Sequence, residues 1–172
     1  MTTPPAPPRL IAHRGAPTRA PEHTIPAYEA AIEAGADALA LDLRLSADGH
    51  LVVIHDARLE RTTDGRGRVR DRTARELKRL DAGGWFGRRF RGQRIQTLLE
   101  VLERFRDRVG FVLRLPDDPE AGADVEERLV GPLQIYEVLA RTLVASGDAA
   151  ALARARRLDF DLRTALIVRD AV

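Results

Sequence analysis

The chain has 172 residues, of which 44% are hydrophobic and 31% are charged, and this composition predicts one globular domain with its own core. The net charge is +2, and because both signs are interspersed and no aromatic–basic stacking motif occurs, we expect no nucleic-acid partner. The absence of cysteine excludes disulfides, thiolate metal sites and a cysteine nucleophile.

The first residues, "MTTPPAPPRL", are rich in proline, and we expect residues 1–8 to form a disordered lead before a domain that covers residues 9–172. They lack the apolar core of a signal peptide, and no later stretch is long enough to cross a membrane. We therefore expect a cytoplasmic protein without a membrane span.

The first half of the chain alternates predicted strands and helices. The predicted elements are a strand in "RLIAHRG", a helix in "IPAYEAAIEAGA" between a Thr24 cap and Gly35, a strand in "DALALDLRL", the turn "SADGH" and a strand in "LVVIHD". Two histidines, His13 and His55, thus follow apolar strands at their carboxyl ends.

The second half continues the alternation after an Arg- and Gly-rich excursion, residues 57–94, which we expect to cover the strand ends. Its predicted elements are a short helical piece in "TARELKRLDAG", a helix in "IQTLLEVLERF", a strand in "VGFVLRL", mostly helix from 125 to 143, a strand in "TLVAS", a helix in "DAAALARARRL" and a strand in "TALIV". Strands that alternate with helices indicate an α/β fold with a parallel sheet.

Several motifs near the predicted strand ends occur together in one known family. They are "IAHRGA", "APEHT", "ALALDLRLSADGHLVVIHDARLERTTDGRGRV" and "LDAGGWFG". In combination they resemble the glycerophosphodiester phosphodiesterase family, whose chemistry is related to that of phosphoinositide phospholipase C. The resemblance runs from about Arg9 to the carboxyl terminus, and it is dense as far as residue 102.

The resemblance implies a TIM-like (β/α) barrel with its active site at the carboxyl ends of the strands. It also implies hydrolysis of glycerophosphodiesters in lipid metabolism, with a divalent cation, Ca²⁺ or Mg²⁺. By the same resemblance His13 and His55 are the catalytic general acid and base, Arg14 is a phosphate ligand, Glu22 is a substrate or orienting residue, and Asp42 is a metal ligand.

The chain departs from the family at the implied metal ligands. Where the family has E-x-D in the second strand, this chain has Ala40 and Asp42, and where the family has E-I-K it has Arg114 and Pro116. Because side chains alternate along a strand, residues 40 and 42 share a face, while Leu39, Leu41, Leu43 and Leu45 face the helices. One carboxylate binds Ca²⁺ or Mg²⁺ weakly, so we expect the metal site to be weak or lost.

One further substitution and two nearby carboxylates bear on the same site. The Asn of the family's P-E-N-T is His23 here, and Asp117 or Asp118 could join Glu22 and Asp42 in an improvised metal site. We also predict that Arg114 lies close to Asp42 and replaces the cation, with Arg14 beside them, which would leave an anion-binding pocket. In the alternative, the strand is shifted and Arg114 reaches solvent.

The chain is also shorter than a complete barrel, which takes about 250 residues, and about six of the eight strands are recognisable. Since the uncovered sheet edges need a partner, we expect a homo-oligomer. Three functions remain open at this point: a phosphodiesterase with impaired activity on a glycerophosphodiester-type small molecule, a non-catalytic homologue that binds a phosphate-bearing ligand or a protein, and a remnant without selected activity.

Overall fold

The computed structural model describes residues 10–116 and 125–168. Its strands and helices follow one another in the order β1 (Ile11–His13), α1 (Ile25–Glu33), β2 (Ala38–Leu45), β3 (Leu51–Val53), α2 (Ala74–Leu77), α3 (Leu98–Phe105), β4 (Gly110–Arg114), α4 (Val125–Ile135), β5 (Thr142–Ser146), α5 (Ala149–Leu158) and β6 (Arg163–Leu166). Short 3₁₀ turns lie at Val69–Asp71, Arg88–Phe90 and Leu139–Arg141.

Five of the strands form a parallel sheet in the order β1-β2-β4-β5-β6. Among the described strands β1 and β6 are the edges, so the sheet is open. The predicted fold, an incomplete α/β barrel, is thereby confirmed. Parallel strands place all their carboxyl ends on one side of the sheet, which we call the mouth.

The sixth strand, β3, pairs with β2 in the antiparallel direction, which the sequence did not predict. The physical reason is the length of the connection: residues 46–50 form a short turn, whereas a parallel crossover needs a dozen or more residues. The hairpin brings the chain back to the mouth, where the Ile54 N–H donates to the Asp42 carbonyl at 3.0 Å.

The two faces of β2 carry different side chains, as its alternation predicts. Leu39, Leu41 and Leu43 are 0%, 0% and 1% exposed and belong to the main hydrophobic core. Helix α3 packs on the same core with the apolar face formed by Leu98, Val101, Leu102 and Phe105. Burial of each such large side chain contributes roughly 1.5–3 kcal/mol.

The ends of α1 agree with the prediction, whereas the other helices are shorter than predicted. Thr24 is the N-cap residue of α1, although its hydroxyl donates to the Pro21 carbonyl, and Gly35 follows the C-cap with a positive φ of 87°. The helical piece after Thr73 is a single turn, and α3 begins at Leu98 behind a capping box that Thr97 and Glu100 form. Local turn geometry and capping therefore set these ends more tightly than the hydrophobic period does.

The excursion, residues 57–94, has a small hydrophobic cluster of its own. The cluster is formed by Val52, Ile54, Leu59, Val69, Leu77, Ala82 and Ile95. It anchors the excursion to β3 and to the start of α3. Within residues 10–116 and 125–168, no helix has the length and hydropathy that a membrane span requires.

Candidate active site

The first loop at the mouth is a tight turn that follows β1. Arg14 and Gly15 both have positive φ, 63° and 85°, and a Cβ on residue 15 would lie 2.7 Å from the Ala27 carbonyl carbon. Only glycine fits this approach to α1 without strain. The turn is tied to the sheet, since the Arg14 N–H donates to the Ala40 carbonyl at 3.1 Å.

Asp42 lies at the centre of the mouth and is only 6% exposed. Parallel pairing places Arg114 of β4 directly beside it, with Nη1 3.2 Å from Oδ1. The other carboxylate oxygen of Asp42, Oδ2, lies 2.9 Å from His23 Nε2 and 3.0 Å from Arg14 Nε. One carboxylate is therefore surrounded by three nitrogen-bearing side chains. The predicted Arg114–Asp42 contact is present.

The electrostatics of this cluster keep Asp42 ionised. Burial alone would raise the pKa of its carboxyl, but the hydrogen bond from His23 and the neighbouring guanidinium groups outweigh burial and lower the pKa to about 2. Burial lowers the pKa of His23, against the opposing effect of Asp42. His23 is therefore a neutral imidazole that donates from Nε2 to an ionised carboxylate.

A second hydrogen bond fixes His23 from the core side. Its Nδ1 lies 3.1 Å from the Tyr28 hydroxyl, and because Nε2 holds the ring proton, Nδ1 accepts from that hydroxyl. Tyr28 is fully buried and packs edge-on against Phe105 with 5.8 Å between ring centroids. Tyr28, His23 and Asp42 thus form a chain of hydrogen bonds from the core to the mouth.

The two candidate acid–base histidines share the mouth with this cluster. Burial, followed by the positive charge of Arg14, lowers the pKa of His13 against the opposing effect of Asp42. His55 Nδ1 lies 2.6 Å from Asp56 Oδ1. Since an ionised carboxylate only accepts, His55 donates from Nδ1, which leaves its Nε2 available for proton transfer.

Glu22 is held by two arginines and is 11% exposed at its side chain. Arg61, from the excursion, donates to both of its oxygens at 2.9 and 2.7 Å, and Arg14 Nη1 donates at 3.1 Å. Burial would raise the pKa of Glu22, but these arginines lower it. Because Arg61 also donates to Asp56, one guanidinium links Glu22, in the loop after β1, to the residue that follows His55.

The residues at the mouth do not fit a Ca²⁺ or Mg²⁺ ion. Ala40 contributes no oxygen, and Arg114 brings a positive charge to the place of the family's second glutamate. Within the described ranges no group of three His, Asp or Glu side chains is arranged to hold a metal. The improvised ligands Asp117 and Asp118 lie outside the described residues.

Sequence reasoning did not assign a role to Arg61, Tyr28 or His23. Arg61 is 39 residues from Glu22, so no local pattern joins them. The departure of His23 from the family's Asn was the one available signal for the hydrogen-bonded chain.

A statistical model of the glycerophosphoryl diester phosphodiesterase family matches residues 13–171. The chain belongs to this family. The resemblance read from the motifs is thus confirmed. Among the relatives, the glycerophosphodiester phosphodiesterase of Caldanaerobacter subterraneus is 40% identical over 159 residues, which cover 92% of this chain and 65% of that protein.

Solved structures of the family share the fold. A phosphodiesterase from Oleispira antarctica, in complex with the product sn-glycerol-3-phosphate, has a TM-score of 0.88 at 32% identity and covers 96% of this chain and 68% of that one. A glycerophosphodiester phosphodiesterase from Agrobacterium tumefaciens has a TM-score of 0.82 at 34% identity, over 90% of this chain and 64% of that one. The chain therefore spans about two thirds of the length of these family members.

Proposed function

We propose that this family member binds a glycerophosphodiester at the mouth and that its metal-dependent hydrolysis is impaired. Relatives that are named as glycerophosphodiester phosphodiesterases, and the Oleispira structure with its glycerol phosphate product, support the ligand class. The observation that carries the impairment is the environment of Asp42, whose two oxygens face Arg14, His23 and Arg114.

Coordination chemistry explains why this environment disfavours a cation. Ca²⁺ takes 6–8 oxygen ligands and Mg²⁺ demands a near-octahedral set, usually with at least one or two carboxylates. Asp42 is one carboxylate, and both of its oxygens already contact positively charged or donating nitrogens. A divalent ion would have to displace Arg114 and would meet electrostatic repulsion from it.

The remaining residues retain part of the chemistry. In this proposal His13 and His55 are the general base and acid for the attacking and leaving oxygens, and Arg14 is a ligand of the phosphate. A bound metal ion stabilises transition-state charge by several kcal/mol, so its loss slows hydrolysis by at least about a hundredfold.

A hydrolysis assay on glycerophosphocholine tests this proposal. The unmodified protein and the Ala40→Glu/Arg114→Glu double variant are compared with Ca²⁺, Mg²⁺, Mn²⁺ and a chelator. We expect metal stimulation only in the double variant, because it regains two carboxylates beside Asp42. Metal-stimulated turnover by the unmodified protein, lost in His13→Ala, would refute the impairment.

We further propose that the chain forms a homo-oligomer through its sheet edges. Ile11 on β1 and Leu166 on β6 are 45% and 53% exposed, and each belongs to an edge strand of the described sheet. Exposed strand edges favour pairing with another chain. Gel filtration with light scattering should give a mass above one subunit, and the mass of a single subunit would refute this expectation.

A further inference from the structure

We propose that Arg114, together with Arg14, binds the phosphate group of the ligand directly and without a metal ion, and that His23 positions Asp42 as the counter-charge. This inference rests on the proposed function only for the location and class of the ligand. It assigns a binding role to an arginine at a position where the family pattern has a glutamate.

The first support is a pair of buried nitrogens. Arg14 Nε and Arg114 Nε are both buried, and neither has a hydrogen-bond acceptor among the described residues. Arg14 Nε lies 3.0 Å from Asp42 Oδ2, which is an ion-pair distance, but its N–H is not aimed at that oxygen. Buried donors without acceptors are costly, and the oxygens of a phosphate group would satisfy them.

The second support is that both guanidinium groups converge on one point. Arg14 reaches Asp42 from the loop after β1, and Arg114 reaches it from the end of β4. Their side chains are 18% and 25% exposed, so both are mostly buried but keep part of their surface accessible. A planar fork of donors matches the geometry of phosphate oxygens, which favours arginine over lysine in this role.

The third support is that the counter-charge is anchored independently of the arginines. His23 Nε2 donates to Asp42 at 2.9 Å, and the buried Tyr28 hydroxyl holds the opposite ring nitrogen at 3.1 Å. His23 has a positive φ of 57°, an unusual conformation for a residue other than glycine, and strained positions of this kind cluster at functional sites. The carboxylate is therefore fixed from the core before any ligand binds.

The consequence is a preassembled oxyanion site. Three carboxylates repel one another until a cation joins them, whereas Asp42 and Arg114 attract each other at 3.2 Å. The arrangement therefore needs no added ion to persist. Asp42 also offsets part of the positive charge, so the expected affinity for phosphate is moderate.

Isothermal titration calorimetry of the full chain tests the metal independence. The probes are sn-glycerol-3-phosphate and glycerophosphocholine, each titrated in EDTA and in Mg²⁺ or Ca²⁺. The expected Kd for at least one probe is the same within twofold in all three conditions, and the two probes distinguish a phosphomonoester from a phosphodiester ligand. Binding of neither probe in EDTA would overturn the inference.

Substitution of Arg114 tests which residue binds the phosphate. Arg114→Gln is expected to weaken binding at least tenfold, and Arg114→Lys, which keeps the charge but loses the fork, is expected to weaken it less. Arg157→Gln is the control, because it removes the same charge from the exposed side of α5. Unchanged affinity in a folded Arg114→Gln protein would overturn the inference.

A double-mutant cycle tests the positioning role of His23. Tyr28→Phe keeps the buried ring but removes the hydroxyl that holds His23, and we expect phosphate binding to weaken three- to tenfold. In an Arg114→Gln background the same change should have less than a twofold effect, since the guanidinium that Asp42 holds in place is gone. A merely structural role would give equal effects in both backgrounds, and that result would contradict the positioning role.

The hydrolysis assay and the binding titration refute different proposals. Metal-stimulated hydrolysis by the unmodified protein would refute the proposed impairment. The titration in EDTA decides separately whether binding is independent of the metal. Loss of binding in EDTA, without metal-stimulated hydrolysis, would refute the arginine site alone.

Discussion

Replacement of Asp42 by asparagine should destabilise the fold measurably, because the carboxylate is the shared partner of two guanidinium groups. The change keeps the shape of the side chain and removes its charge. Arg14 and Arg114 would then face each other without the counter-charge that now lies 3.0 and 3.2 Å from them. Loss of one member of a buried ion pair is costly for this reason.

The magnitude follows from two estimates. The pKa of Asp42 falls from 3.8 to about 2, and at about 1.36 kcal/mol for each pKa unit this corresponds to roughly 2 kcal/mol. Breaking a fully buried pair costs about 3–5 kcal/mol, and the partial exposure of the two arginines lowers that figure. We therefore expect Asp42→Asn to lose about 2–3 kcal/mol, which is roughly 5–10 °C in Tm for a chain of this size.

Urea denaturation followed by circular dichroism measures this loss, and a second background tests its cause. In an Arg114→Gln protein, Asp42→Asn should cost at least about 1 kcal/mol less, since one of the two unpaired cations is already absent. The reasoning is refuted if Asp42→Asn changes the unfolding free energy by less than about 0.5 kcal/mol. It is also refuted if the cost is the same in both backgrounds.

Three further predictions concern the framework of the site. Gly15→Ala should cost more than about 2 kcal/mol in urea denaturation, because φ is +85° and the new Cβ would lie 2.7 Å from the Ala27 backbone. Phe105→Ala should cost about 3–5 kcal/mol in the same assay, because the ring is fully buried. Glu100→Gln keeps the helix cap and loses the Lys78 ion pair, so it should cost up to about 1 kcal/mol at pH 7. Burial acts to raise the pKa of Glu100, but the Lys78 ion pair and the cap hydrogen bonds lower it. The stabilisation from Glu100 is therefore fully present at a pH above the ordinary pKa of glutamate, and it should disappear as the pH falls through the lowered pKa.

The position of Asp42 could be predicted because strand periodicity is strict. The leucines of β2 had to face the helices, so residues 40 and 42 had to face the mouth, and parallel pairing then put residue 114 beside residue 42. The family motifs aligned residues 42 and 114 with the implied metal ligands, and this alignment predicted which residues of β2 and β4 are neighbours. The direction of β3 was not predicted, since an apolar run does not indicate the direction of its strand. The short turn before β3 does indicate it, because five residues are too few for a parallel crossover.

The remaining contacts of the site depend on the tertiary fold. Arg61 reaches Glu22 across 39 positions of the chain, and long charged side chains carry no periodic pattern that would identify such partners. His23 and Tyr28 are near in sequence, but they meet only because His23 adopts a positive φ before α1 begins. Backbone conformations of this kind are not encoded by hydrophobic period or propensity.

The substitutions at the mouth together balance the charge around Asp42. In the family pattern three carboxylates share a divalent cation, and loss of that cation would leave neighbouring negative charges without compensation. This chain has removed one carboxylate at Ala40 and reversed the charge of another at Arg114, so Asp42 keeps a positive partner. His23 then supplies the donor that fixes Asp42 on its other oxygen. The charge of Asp42 is therefore compensated by protein side chains alone, which is the arrangement that the proposed metal-independent anion site requires.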